Sequence, residues 1–186
     1  DALIIEGMEA GGRIGTLTTM ALMTNVIPEV KIPVIAAGSI VDGRGMAAAL
    51  IMGAEGVQMG SRFLMAEECT AFHPDNVRRI LEATDDDCVT VGLSRNKGMR
   101  GLRSPFSEKY NAWETAGVPT EELNRLAADM SWKVARDGIG LDGMNGIVQC
   151  GQGVGPLKKV QPAAEILEEV VREAENLLRR APDLVR

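Results

Sequence analysis

The stretch "IPVIAAGSIVDGRGMAAALIMG", residues 32–53, changes character twice. Its first part, "PVIAA", is apolar at every position, which is the pattern of a strand buried on both faces of a parallel sheet. "GSI" breaks the run with a glycine. Asp42 then stands where a helix N-cap belongs, ahead of the alanine-rich "GRGMAAALIMG". The stretch therefore reads as a buried strand, a tight turn and a helix. Working outward, "ALII" (2–5) ending at Gly7 reads as a similar strand, and "EGVQMGSRF" (55–63) as another, ending at Gly60. Between the first two, "TLTTMALMTNVI" carries Leu17, Met20, Ala21 and Met23 on one helical face and is stopped by Pro28. The three strands begin roughly 30 and 20 residues apart, the spacing of βα units in a parallel barrel or a doubly wound sheet.

Composition narrows the function classes. The chain has 186 residues, 45% of them hydrophobic, enough for one sizeable core. Aromatics are 3% and the formal net charge is -6. A base-stacking platform, or an electrostatic grip on nucleic acid or an anionic membrane, is therefore not expected. Three dispersed cysteines, Cys69, Cys88 and Cys150, form no CxxC, so they read as reduced thiols, with no metal centre and no disulfide framework. No window has the length of a membrane span and no signal peptide is visible, which makes a cytoplasmic protein the expectation.

After Arg62 the pattern loosens. "HPDNVRRILEAT" reads as a helix capped near Asp75, with His73 at its start in a capping or surface-packing role rather than a catalytic one. "DDDCVTVGLSR" leads to an edge strand, and "NKGMRGLRSPFSEKYN" reads as a polar, basic loop. A helix is expected from Thr120, and a long one over "PAAEILEEVVREAENLLRRA", with proline at its start and arginines in its last turn. The glycine-dense "GIGLDGMNGIVQCGQGVG" reads as a loop rather than a second core. This divides the chain into βα units over 1–83 and a loop-rich, helical region over 84–186 that packs on them.

The chemistry lies in the turns. In a parallel βα architecture the C-terminal ends of the strands form the ligand face. Gly38–Ser39 and Gly60–Ser61 end consecutive strands. Their backbone N–H groups can approach an oxyanion closely, the serines can add hydroxyl donors, and the helix after Gly38 can add its dipole. Two such turns together point to a phosphate, though not to a reaction. A third turn, "EGMEAGGRIG" (6–15), offers Ala10, Gly11 and Gly12, side-chain-poor backbone against which a flat ring could lie. Flavin mononucleotide has both a phosphate and such a ring. Glu6 and Glu9 are candidate acids, with solvation or ion pairing as the plainer expectation. "KGMRGLR" could meet an acidic carrier protein, or be an ordinary solvated loop.

"DALIIEGMEAGGRIGTLTTMAL", "IPVIAAGSIVDGRG" and "MGAEGVQMGSRF" resemble the FMN-dependent enoyl-acyl-carrier-protein reductases (type II) and their relatives, the nitronate monooxygenases (2-nitropropane dioxygenases). The likeness runs through residues 1–83 and returns at "DGMNGIVQCGQGVG"; "EGMEAGG" and "TLTTM" lean toward the reductase branch. It implies an α/β fold, the C-terminal part of a TIM (β/α)8 barrel, about its last three βα units, plus a helical C-terminal region. It implies FMN at the C-terminal mouth, with Gly38, Ser39, Gly60 and Ser61 at the phosphate and Ala10, Gly11 and Gly12 beside the flavin. It also implies NAD(P)H as hydride source, an acyl-carrier-protein-bound or small-molecule substrate, and leaves a homodimer open. The family usually has glycine at position 39 and threonine at 61.

The family reads EAGGH where this chain reads EAGGR, so Arg13 stands at the histidine implicated in catalysis. Arginine stays protonated and cannot be a base, which counts against nitronate oxidation. Hydride transfer to an enoyl thioester needs no histidine base, and Arg13 could offset negative charge on the reduced flavin or the thioester oxygen. The leading expectation is therefore an FMN-dependent reductase of enoyl thioesters. Nitronate oxidation with O2, a catalytically impaired barrel fragment, and a phosphate-binding barrel of the IMP dehydrogenase type remain as alternatives. That last type needs a loop cysteine before its phosphate turns, and none precedes Cys69. On the resemblance the chain begins at the sixth barrel strand, and these residues alone are expected to bind FMN weakly or not at all.

Overall fold

The computed structural model describes residues 1–95, 98–126, 130–138 and 146–184. Strands β1 (Leu3–Glu6), β3 (Val34–Ala37) and β4 (Gly56–Gln58) form a parallel sheet in the order β1-β3-β4. Leu3 pairs with Val34 and Ile35 with Gly56. Helix α1 (Thr19–Val26) crosses from β1 to β3, and α2 (Gly43–Ile51) from β3 to β4. Both βα connections therefore leave from the same end of the sheet. The apolar run at β3 is buried as its pattern requires: Val34, Ala36 and Ala37 are each 3% exposed or less.

A second, antiparallel sheet has the order β2-β6-β5, from β2 (Gly12–Arg13), β6 (Met99–Leu102) and β5 (Cys88–Val91). The turn after β1 thus supplies a strand to the sheet of the C-terminal region. The rest is helical: α3 (Pro74–Glu82), α4 (Pro105–Thr115), α5 (Thr120–Leu126), α6 (Met130–Asp137) and α7 (Ala163–Arg180). Asp42 caps α2 by accepting from the Gly45 N–H at 3.0 Å, and His73 caps α3 through Nδ1. The first matches the reading from sequence; for α3 the cap is His73, two residues before the Asp75 expected there, and Asp75 supplies the N–H that His73 accepts.

Three expectations are corrected. "NKGMRGLRSPFSEKYN" is not a loop throughout, because residues 99–102 are β6 and residues 105–115 are α4. Its polar letters alternate with Leu102, Phe106 and Tyr110, which are buried. The second correction concerns 146–155, which has loop backbone but core side chains. Ile147, Val148, Cys150 and Val154 are at most 1% exposed, and the last three share a cluster with Val41 and Met65. The core therefore joins 1–83 to the later segment; residues 139–145 of the glycine-dense stretch lie outside the described residues. Third, α1 begins at Thr19, and Met20 is 66% exposed while only Met23 of its stripe is buried. One side of α1 meets β1 and β3, and no described element covers Met20.

Helices α2 and α7 pack closely, and Gly43 is the reason they can. A Cβ there would lie 2.5 Å from the Ala174 backbone nitrogen. Backbone cannot yield as a flexible side chain can. Gly43→Ala is expected to destabilise the fold by about 1–3 kcal/mol, read as a lowered urea midpoint with unchanged slope; an unchanged midpoint would show that the two helices separate freely.

Candidate active site

At the C-terminal ends of β1, β3 and β4 lies a cavity of about 290 Å³, at the small end for a ligand site. Its lining includes Ala10, Gly11, Gly38, Ser39, Gly60 and Ser61. Six of the seven residues named from sequence for a cofactor thus meet around one space. Gly12 does not line it. It lies in β2 opposite Arg100, with φ +74° and the Gln149 amide oxygen 3.1 Å from where a Cβ would be. Arg13 also lies outside the lining, exposed on β2 and paired with Met99.

The corner between β1 and β3 is built around Thr19. Its N–H donates to both carboxylate oxygens of Glu9, at 3.0 and 2.8 Å, and its hydroxyl is 3.0 Å from Glu9 Oε2 and 3.2 Å from the Gly38 carbonyl. Glu9 therefore serves as the anionic partner of the α1 N-terminus, not as an acid. A Cβ on Gly7 would lie 2.1 Å from Thr19 Oγ1, and one on Gly38 2.5 Å from the same atom. Those two glycines are required by Thr19 rather than by a ligand.

Residues 149–153 lie across the turns as a strap. Three consecutive N–H groups each reach a different turn: Gly151 donates to Ser61 Oγ at 2.9 Å, Gln152 to the Glu9 carbonyl at 2.9 Å, and Gly153 to Ser39 Oγ at 2.9 Å. A Cβ on Gly11 would meet the Cys150 carbonyl carbon at 2.4 Å, so the room left by Gly11 is filled by the strap. At Gly60 nothing lies within 4 Å of a Cβ position, and that turn opens outward.

This changes what the serines can do. Ser39 donates its hydroxyl proton to the Glu9 carbonyl at 2.7 Å and accepts from Gly153, so it is not a free donor. Its backbone sits at φ +52°, a left-handed conformation that favours glycine; the two bonds explain why serine is tolerated. Among the described residues Ser61 only accepts, which leaves its O–H free for an oxyanion. The dipole expected of α2 is already engaged. Asp42 caps it, and Gly43 N–H donates to Glu173 Oε2 at 2.8 Å.

Among the described residues, Glu6 is the one ionisable residue in the lining. It ends β1, and partial burial alone raises its pKa above the ordinary carboxylate value. Sequence alone gave no reason to choose it over Glu9, since both are loop-end carboxylates. Among the described residues no cluster of His, Cys, Asp and Glu could hold a metal ion, and no helix is long and apolar enough to cross a membrane.

A family model for nitronate monooxygenase matches residues 1–173. The chain belongs to the nitronate monooxygenase family. The homologues in this family are flavin-dependent oxidoreductases. It is 51% identical, over 94% of its length, to a (3aS,4S,5R,7aS)-5-hydroxy-7a-methyl-1-oxo-octahydro-1H-indene-4-carboxyl-CoA dehydrogenase of Rhodococcus jostii. It is 33% identical, over 93% of its length, to a probable nitronate monooxygenase of Bacillus subtilis. The chain spans 59% and 51% of those two proteins' own lengths. Among solved structures, FabK from Thermotoga maritima superposes on 100% of the chain with a TM-score of 0.91 and 36% identity, the chain covering 58% of FabK. The α/β fold is shared with these enzymes.

The strap bonds give a direct test. Ser39→Ala removes both partners of a part-buried hydroxyl while keeping a Cβ at positive φ, and should cost about 1–3 kcal/mol of stability. Ser39→Gly loses the same bonds but relieves the backbone, so it should cost less. Urea unfolding of both variants ranks them; the reverse ranking would show that the Ser39 backbone is not strained.

Proposed function

We propose that this chain forms one wall of an FMN-binding active site in an oxidoreductase that acts on an acyl thioester. The cavity at the strand ends carries the reading: it gathers two glycine–serine turns, a free hydroxyl and one carboxylate with a raised pKa in a single space. The carboxyl-CoA dehydrogenase likeness supports the substrate class, and Arg13 in place of the family's histidine argues against a nitronate base at that position.

The residues fit a phosphorylated flavin at one end. Gly60 presents backbone with open space in front of it, and Ser61 can donate its hydroxyl proton to a phosphate oxygen. Ala10 and the Gly11 backbone line the same cavity and would lie along the ring. A bound flavin supplies a two-electron acceptor and donor, loaded from NAD(P)H in the direction of enoyl reduction. The chain's own contribution is proton chemistry and orientation. Ionised, Glu6 removes the proton α to the thioester carbonyl when the bond is oxidised; protonated, it returns that proton when an enoyl thioester is reduced. The exposed Arg13 guanidinium, two residues along the chain from the lining Gly11, would offset negative charge on the thioester oxygen or on phosphates of a carrier.

Two experiments test this. FMN should bind more tightly than riboflavin, and Ser61→Ala should weaken FMN roughly tenfold while leaving riboflavin unchanged; equal loss for both would remove the phosphate from these turns. In thioester oxidation, kcat/KM should rise with pH through the Glu6 ionisation, above the ordinary value of 4.5, because the base works only when ionised. Glu6→Gln should abolish that limb and lower turnover at least about 100-fold. Turnover of nitronates with dioxygen, with none of carboxyl-CoA or enoyl thioesters, would overturn the substrate class.

A further inference from the structure

Cys88 and Cys150 are 62 residues apart in sequence, yet their sulfur atoms are 3.5 Å apart. Cys88 opens β5 and is half-buried; Cys150 is 1% exposed and immediately precedes the three strap N–H groups. Cys88 Sγ also donates to the Gly151 carbonyl at 3.2 Å. The two thiols differ in character. The hydrogen bond from Cys150 lowers the Cys88 pKa, burial opposes this, and the Arg100 charge on the neighbouring strand lowers it further; Asp87 works the other way. Cys150 is pushed up by its bond to Cys88, by burial and by the charge on Cys88. Cys88 thus ionises first, with a protonated thiol beside it.

We propose that Cys88 and Cys150 form an oxidisable dithiol which a hydroperoxide converts to a disulfide, fastening the strap to β5. Cys88 thiolate attacks one peroxide oxygen, the O–O bond breaks, and the other oxygen leaves as an alkoxide or hydroxide that takes up a proton. Cys88 is then a sulfenic acid. Cys150 sulfur attacks the Cys88 sulfur, forming the S–S bond and releasing its own proton and the sulfenic hydroxide as water. In sum, two thiols and one hydroperoxide give a disulfide, an alcohol (water, for hydrogen peroxide) and water, the peroxide accepting two electrons. This follows the oxidation ladder of a low-pKa thiol beside a resolving partner.

The sulfurs must close from 3.5 Å to about 2.05 Å. That displacement falls on the residue next to Gly151, whose N–H holds Ser61, the residue with the free hydroxyl in the cavity. Oxidation therefore acts on the strap and through it on the cavity. Cys69 belongs to a different cluster, around Ala66 and Ile166, and is an internal control. The inference does not depend on the flavin or on the substrate proposed above.

The test treats the purified protein with one equivalent of hydrogen peroxide, blocks free thiols by alkylation, and maps the peptides. Two of the three thiols should be lost, a Cys88–Cys150 linked peptide should appear, and dithiothreitol should restore both. Cys69→Ala should behave identically. Cys150→Ala should leave Cys88 as a sulfenic acid captured by dimedone, and Cys88→Ser should leave Cys150 alkylatable after denaturation. Hydrogen exchange at residues 151–153 should be slower in the oxidised wild type than in the reduced one. Cys88 and Cys150 both remaining alkylatable after peroxide, or a disulfide through Cys69 instead, would overturn the dithiol. An oxidised pair with unchanged exchange at 151–153 would overturn its action on the strap.

Discussion

Three consecutive N–H groups, on Gly151, Gln152 and Gly153, hold the turns that follow three parallel strands. Each turn on its own is a glycine-rich reversal with little side chain to pack. Bound to the strap, all three are held together around the cavity. The cost of leaving a buried amide unpaired makes the arrangement mutual: the strap needs the turns as acceptors as much as the turns need the strap. This is why a segment with loop backbone is also among the best-buried parts of the chain.

Two carboxylates in the first turn illustrate how position divides identical chemistry. Glu9 faces Thr19, where one N–H and one hydroxyl converge on it, and it is spent on starting α1. Glu6, at the very end of β1, points its role the other way, into the cavity, where partial burial raises its pKa. The same division appears in the serines. Ser39 spends its proton on the Glu9 carbonyl, while Ser61 accepts from the strap and keeps its own. Helix α2 is closed to ligands by a similar economy, with Asp42 and Glu173 taking its first N–H groups.

The α7 helix anchors the other side. Arg62, next to Ser61 and 6% exposed, is paired with Gln161 and lies 3.5 Å from Glu169. Buried cations of this kind hold only when fully bonded. The residue beside the free hydroxyl is thereby tied to the helix that also closes α2.

Much of the framework was legible in the letters. The all-apolar "PVIAA", the Asp42 cap, His73 at its helix start and the glycine–serine pairs after two strands are local patterns, each set by a few neighbouring residues. Periodicity and turn chemistry report such features because their causes are near in sequence. The site was legible as a set of turns, six of whose seven named residues line one cavity. Hidden were features whose causes are distant. The β2–β6 pairing joins residues about ninety apart, Glu9 acts on a threonine ten residues away, and Cys88 meets Cys150 across 62. The sequence by itself determined where the three parallel strands, the turns that end them and the Asp42 cap fall, because propensity and hydrophobic pattern act over a turn or two. Only the tertiary structure decided which glycines face the open cavity and which face the strap, and which of two like residues keeps a free proton, because those outcomes depend on which partner arrives first in space rather than in the chain.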